Sequence, residues 1–383
     1  MASKKRTIDA YFGIPKAKKP RDSDAVVLQE KHTAPKATKT TSCHTTTYDT
    51  TKPTTSTHSE LANYSIHASY PFPILHLPYA LEAEISDLPA RAARVIADQP
   101  DLDLLYFEPY ISRQAARQLF EFLRSELPFY RVEYDIMRSG IKTHIRTPRW
   151  TTVFGLDETA RFEINHPSAS GSISDPRSSK GKVVDTRTGK PIPVGTYDTP
   201  EQKTQTGYKA IPRPVPHCLD VLRRSTEAAT GCQFNFCLVN YYASGADSIS
   251  FHSDDERFLG PFPAIASLSL GARRDFLMKH KPPKSEPGEA NSNDTSKGSL
   301  KLPLGSGDCV LMRGRTQANW QHSIPKRSGK NEWDGGRINI TFRLALVRGG
   351  TENYYQYNVG SGPVYKWNAA GQEMRPWMQT PKP

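Results

Sequence analysis

The chain has 383 residues, 36% of them hydrophobic, with 31 prolines and a formal net charge of +12. That length allows one large domain or two ordinary ones with tails, and the low apolar content and many prolines predict long irregular stretches. No run of 18 apolar residues occurs, which argues against a membrane-spanning helix, and the opening MASKKRTIDAYFG lacks the apolar core of a secretory signal.

The positive charge suggests a polyanionic partner. About half of the excess sits in the first 52 residues, with 11 Lys or Arg against 5 Asp or Glu. Five cysteines (43, 218, 232, 237 and 309) form no CxxC pair. An odd, scattered set fits reduced core thiols in an intracellular protein, not a structural zinc site.

Residues 1–60 read as a disordered basic tail. Within it, KAKKPR (Lys16, Lys18, Lys19, Arg21) has the composition of a nuclear localisation signal or a nucleic-acid contact, the alternative being a solvated tail. Just upstream, KRTIDAYFG spaces Ile8 three residues before Tyr11 and Phe12. This resembles the short peptide that docks on the DNA sliding clamp, with Lys5 standing where that peptide has Gln. Residues 61–99 read as a linker or N-terminal extension.

From residue 100 the pattern becomes globular. LDLLYFEPYIS predicts a strand entering a helix, and SRQAARQLFEFLRSEL an amphipathic helix with Ser112 as its cap. YRVEYDIMRSGIKTHI predicts a hairpin turning at Ser139–Gly140, and HCLDVLRRSTEAATG a helix stopped by Gly231. Residues 165–206 read as a long excursion, and about 282–299 as a second insertion. Strands then crowd together: FNFCLVNYYAS, SISFHSDDE, AIASLSLGARRDFLMKHK, SLKLPLG, DCVLMRG and RINITFRLALV. Many strands with helices gathered earlier favour a sandwich or jelly roll of α+β class.

His252-Ser253-Asp254 places two metal-capable side chains on one face of a strand. With a second histidine from elsewhere, that set is the facial triad of non-haem iron(II) oxygenases. The spacing alone is weak, since His58-Ser59-Glu60 in the tail matches it too. Its context is stronger: His322 follows downstream in NWQHSIP, just before RINITFR. In RINITFR, Arg337, Asn339, Thr341 and Arg343 alternate with Ile338, Ile340 and Phe342. Such a polar face is either half-exposed or the wall of an anion pocket, where guanidinium grips a carboxylate through two parallel hydrogen bonds. Upstream, Phe234, Phe236, Leu238, Asn240 and Tyr242 share a face that ends in an amide and a phenol.

NYYASGADSISFHSDDE, SLSLGARRDF, WQHSIPK and RINITFR, in this order, resemble the AlkB family of iron(II)- and 2-oxoglutarate-dependent dioxygenases, over residues 100–347. The likeness is greatest to its eukaryotic nuclear DNA-repair branch. The resemblance implies a double-stranded β-helix (jelly-roll) core with flanking N-terminal helices and a nucleotide-recognition lid. It implies Fe(II) ligation by His252, Asp254 and His322, dioxygen as co-reactant, and 2-oxoglutarate held by Asn240, Tyr242, Arg337 and Arg343, with Asn339 and Thr341 as further candidates.

For the substrate, the resemblance implies base contacts from Asp255 and Glu256, stacking by Tyr208, and a DNA-probing hairpin tip at Ile141, where an aromatic wedge is common. The implied activity is oxidative demethylation of 1-methyladenine and 3-methylcytosine in DNA, with formaldehyde and succinate as products. RNA demethylation and a non-catalytic interaction protein are the alternatives. A nuclear monomer with alkylated DNA and the sliding clamp (residues 5–12) as partners is the accompanying expectation. Residues 348–383 form a C-terminal extension about which the resemblance says nothing.

Overall fold

The computed structural model describes residues 63–88, 92–163, 182–195, 207–282, 298–327 and 336–378. The basic tail, with KAKKPR and the Ile8, Tyr11 and Phe12 pattern, lies outside the described residues.

Two antiparallel sheets dominate. The larger has seven strands in the order Arg94–Ile96, Leu104–Phe107, Cys309–Met312, Ile265–Gly271, Arg337–Arg343, Phe236–Tyr242 and Trp150–Gly155. The smaller has four, in the order Ile249–His252, Trp320–Ile324, Arg274–His280 and Ser299–Leu304. Side chains of both sheets, including Leu104, Val153, Leu238, Phe276, Met278, Leu302 and Ile324, form one apolar cluster.

The opposite face of the large sheet is covered by two helices. Helix Arg113–Glu126 begins where the Ala115 amide donates to Ser112 Oγ at 3.1 Å, satisfying one of the free N–H groups of its first turn. Helix His217–Thr230 ends at Gly231, whose φ of 69° is open to glycine at little cost. Their buried faces meet Val239, Tyr241, Ile338, Ile340 and Phe342. Alternation along the strands thus sends apolar residues to the helices and polar ones to the other side. Phe234 precedes its strand and joins the helix-side cluster, so it does not share the face of Leu238 and Asn240.

AIASLSLGARRDFLMKHK is two strands and not one. The chain leaves the large sheet at Gly271 and enters the small sheet at Arg274. Gly271 has φ +87°, and a Cβ there would collide with the Gly336 carbonyl oxygen. A period-two pattern persists through such a corner, which hides it from sequence reading.

Of the stretch expected to be a linker or an N-terminal extension, residues 63–88 and 92–99 are described and pack as an extension of the fold. Ile74, Leu77, Leu81 and Ile85 are buried against the helices, and Arg94–Ile96 forms an edge of the large sheet. Part of the 165–206 excursion is also ordered: Val183–Asp185 pairs with Ala160–Phe162 and Pro191–Ile192. The predicted hairpin is present as Glu133–Arg138 and Ile141–Arg146. Its turn residues Ser139 and Gly140 both have positive φ, the geometry that matches strand twist in a two-residue turn.

Burial pushes the thiols of Cys237 and Cys309 up to about 12, and that of Cys218 higher still. A thiol-specific disulfide reagent at pH 8 is therefore expected to leave these three unmodified in the native protein and to titrate them after denaturation. Rapid labelling of any of the three in the native state would contradict their placement.

Candidate metal centre and its surroundings

His252 and His322 are direct cross-strand partners in the small sheet. Residues paired this way project to the same face, which brings together two histidines distant in sequence. The chain leaves the strand after His252 and turns Asp254 between them. His252 Nε2 lies 3.9 Å from Asp254 Oδ1, and His322 Nε2 lies 3.9 Å from Asp254 Oδ2. All three ligand atoms fall within 4.8 Å of one another. Such gaps are too long for hydrogen bonds and suit an ion placed about 2 Å from each donor.

Local contacts hold the set in place. His252 Nδ1 donates to the Ser250 carbonyl at 2.9 Å, which leaves the Nε2 lone pair for a metal. Ser253 Oγ donates to the Trp320 carbonyl at 2.7 Å, tying the turn to the His322 strand. The Asp254 amide donates to Gln317 Oε1 at 3.0 Å. Burial lowers both imidazoles, His322 to about 3, so at neutral pH both are in the uncharged form that binds metal.

Arg343 completes the cluster. Its Nη2 donates to Asp254 Oδ2 at 2.8 Å, and its Nη1 to Thr341 Oγ1 at 2.9 Å. Burial alone would raise the Asp254 carboxyl, but the Arg343 guanidinium beside it holds it well below the usual range. The carboxylate stays charged, as a divalent cation needs.

The strand Arg337–Arg343 is buried at every position. Its polar face therefore looks into the protein, and the half-exposed alternative fails. Arg337 is 1% exposed and donates from Nη2 to Ser269 Oγ at 2.8 Å. Its Nε and Nη1 are buried and find no hydrogen-bond partner among the described residues. Tyr242 packs beside it, 5.4 Å from ring centre to guanidinium carbon. A buried guanidinium with two unused donors is costly unless an anion occupies the space in front of it.

The other expected pocket residues are brought to the same wall but are already engaged. Asn339 Nδ2 donates to Ser267 Oγ and the Leu268 carbonyl, and Thr341 Oγ1 to the Leu238 carbonyl. Asn240 Oδ1 accepts from Arg149 Nε at 2.7 Å. Arg149 is itself 5% exposed, with Nη1 buried and unpartnered among the described residues. In sequence, Arg149 belongs to a PRxxxxFG stretch that resembles the family's nucleotide-recognition lid, and nothing in its spacing signals burial.

The expected substrate contacts fare unevenly. Glu256 accepts from Tyr354 Oη at 2.8 Å, while its Oε2 is buried without a partner among the described residues. Burial and the neighbouring Asp254 raise its carboxyl to about 7. Asp255 is exposed and paired with Lys281 Nζ at 2.8 Å. Ile141 stands at the hairpin tip, 69% exposed. Tyr208 is corrected by the structure: it is 1% exposed and donates to Asp157 Oδ2 at 2.7 Å. Buried beside Leu156, Ala160, Val183 and Ile192, it has no open face for a base to stack on.

Residues 103–343 match the 2OG-Fe(II) oxygenase superfamily. The chain belongs to that superfamily. Within it, the relatives are AlkB-type proteins. It is 45% identical over 133 residues to the rat alpha-ketoglutarate-dependent dioxygenase alkB homolog 3, spanning 34% of this chain and 43% of the relative. It is 38% identical over 144 residues to the human DNA oxidative demethylase ALKBH2, spanning 38% of this chain and 52% of the relative. The Arabidopsis thaliana protein of the latter name is 38% identical over 141 residues, spanning 34% and 44%. The chain thus covers about half the length, or less, of these relatives. The two histidines and one carboxylate fit the iron(II) of a 2OG-Fe(II) oxygenase, and the unused donors of Arg337 fit a carboxylate.

The C-terminal extension lies beyond the matched residues and joins the fold. Helix Glu352–Asn358 places Tyr355 Oη against the Gly155 carbonyl at 2.8 Å and accepts Thr151 Oγ1 at the Asn358 carbonyl. Strand Tyr365–Asn368 then packs Trp367 against Arg124 of the first long helix. The aromatic richness of this segment is a packing signal, and its spacing alone could not reveal that Tyr354 reaches Glu256.

Proposed function

We propose that this chain is an oxidative demethylase that removes N-alkyl groups from bases of the 1-methyladenine and 3-methylcytosine type in DNA. The observation that carries the reading is the buried His252–Asp254–His322 set clamped by Arg343, with Arg337 on the same strand as Arg343 keeping two buried nitrogens without a partner among the described residues. In this reading the two sheets are those of a double-stranded β-helix, and the tip of the hairpin Glu133–Arg146, at Ile141, is the DNA-probing element.

His252, Asp254 and His322 would hold iron(II), which, with dioxygen and the oxidative decarboxylation of 2-oxoglutarate to succinate and carbon dioxide, would supply the oxidant for hydroxylating the N-methyl carbon to a hemiaminal that falls apart to formaldehyde and the free base. His252 and His322 enter as neutral donors, so no proton has to leave before the metal binds. Arg343 keeps Asp254 ionised and fixes its orientation. Arg337 receives the distal carboxylate of 2-oxoglutarate from a position fixed by Ser269, with Tyr242 beside it. Burial strengthens that grip, because attraction between opposite charges is larger in the low-dielectric interior. Reaching a methyl on the pairing edge requires taking the base out of the stack, which costs least where pairing is already blocked. Asp255, Glu256 and the Ile141 tip are the residues assigned to the base and the strand.

For the tail, KAKKPR is the basis for a nuclear address and Ile8, Tyr11 and Phe12 for a sliding-clamp contact.

The test supplies iron(II) and 2-oxoglutarate with methylated single- and double-stranded DNA and RNA oligomers, and follows succinate and formaldehyde. Product on DNA above a His252→Ala control is the expected result. Product on RNA alone would transfer the activity to that substrate, and no product above the control on any oligomer would remove the demethylase reading.

A further inference from the structure

We infer that Tyr354, supplied by the C-terminal extension, is a positioning residue that fixes the Glu256 carboxylate and so sharpens the choice of base. The inference rests on the base-repair reading above and adds a residue outside the superfamily match, which ends at residue 343.

Tyr354 is buried, and its ring lies edge-on to Phe236 at 5.1 Å and to Phe258 at 5.9 Å. The same ring stands 5.1 Å from the Arg343 guanidinium carbon. Helix Glu352–Asn358 cannot shift freely, because Tyr355 Oη is held by the Gly155 carbonyl and by the Arg213 amide at 2.9 Å. Tyr354 is thus a rigid post beside the carboxylate that follows the metal ligand Asp254 by two positions.

From that post its hydroxyl donates to Glu256 Oε1 at 2.8 Å. A carboxylate with one oxygen held can rotate little, and the second oxygen then points in one direction. That oxygen, Oε2, is buried and has no partner among the described residues. In its ionised form that oxygen is a lone buried acceptor, matched by an N–H donor and repelling a carbonyl. Adenine and cytosine carry an exocyclic amine beside the methylated pairing edge, whereas thymine carries a carbonyl there. Holding Glu256 still converts this difference into selectivity, because a mobile carboxylate could turn away from the carbonyl.

Tyr354→Phe keeps the ring and removes only the hydroxyl. The measurement compares kcat and KM on 3-methylcytosine and 3-methylthymine DNA oligomers, the KM for 2-oxoglutarate, and the thermal midpoint. Losing one hydrogen bond to a charged group is expected to cut the preference for 3-methylcytosine about tenfold, chiefly through KM for the oligomer. The KM for 2-oxoglutarate is expected to stay within about twofold, since Arg337 is untouched. An unchanged preference in an active, folded variant overturns the inference. So does an equal rise in both KM values, which would place the effect at Arg343 instead. Should Tyr354→Phe fail to fold, Glu256→Gln decides: the inference requires the same loss of preference with Tyr354 in place. Wild-type protein inactive on both oligomers would remove the base-repair reading itself, an outcome distinct from these.

Discussion

Replacing Arg337 by Lys is expected to raise the 2-oxoglutarate concentration needed for half-maximal rate about 10- to 100-fold, the equivalent of losing one strong charge-assisted hydrogen bond. Arg337 is anchored through Nη2 by Ser269, and the second Nη2 N–H still forms a parallel pair with Nε or Nη1, neither of which has a partner among the described residues. Lysine would carry the charge on a single atom and could not present two parallel donors. Burial also works against the cation, lowering Arg337 to about 10, so the protein without cosubstrate holds an uncompensated charge. Arg337→Met is therefore expected to leave the cosubstrate-free protein at least as stable by denaturant titration, while removing turnover. In the wild type, saturating 2-oxoglutarate should raise stability by about 2.7 kcal/mol at 100 times its Kd, and the Met variant should show no such gain. A wild-type 2-oxoglutarate requirement in Arg337→Lys would show that the pocket lies elsewhere.

The second large effect concerns Arg343. In metal-free protein, Arg343→Met strands the Asp254 carboxylate in a site where the guanidinium was its hydrogen-bonded counter-ion at 2.8 Å. Breaking one half of such a buried pair costs about 3–5 kcal/mol. Removing the second charge as well should recover much of the loss, so Arg343→Met with Asp254→Asn is expected to be more stable than Arg343→Met alone. Urea titrations of the two single variants and the double variant form the cycle that isolates the pair. Divalent metal should restore stability to the Arg343 single variant and not to the double one, because only the former keeps the carboxylate ligand. Simple additivity of the two single losses would mean that the pair is not coupled.

Much of this was legible in the chain itself. HSD, the downstream His322 and the alternation of RINITFR named the residues of the centre, because strands impose a two-residue period on whatever they carry. Ser112 and Gly231 marked helix ends for local reasons of hydrogen bonding and φ. The Ser139–Gly140 turn was readable on the same grounds.

Other features could not be read because they depend on which strand lies next to which. That His252 faces His322, that Arg343 clasps Asp254, and that Arg149 reaches Asn240 follow from sheet order and register, which no single segment encodes. Tyr208 shows the limit from the other side: the family resemblance implied a base-stacking role, yet a small sheet encloses it and Asp157 takes its hydroxyl. Gly271 turns one apparent strand into two, since alternation of side chains survives a corner that backbone geometry makes. The amino-acid sequence by itself determined the chemistry available here, two imidazoles, one carboxylate and two guanidiniums, since these are properties of residues. Only the tertiary structure decided which of those groups are desolvated together and which keep unused donors, because burial and partnership are properties of the packed whole.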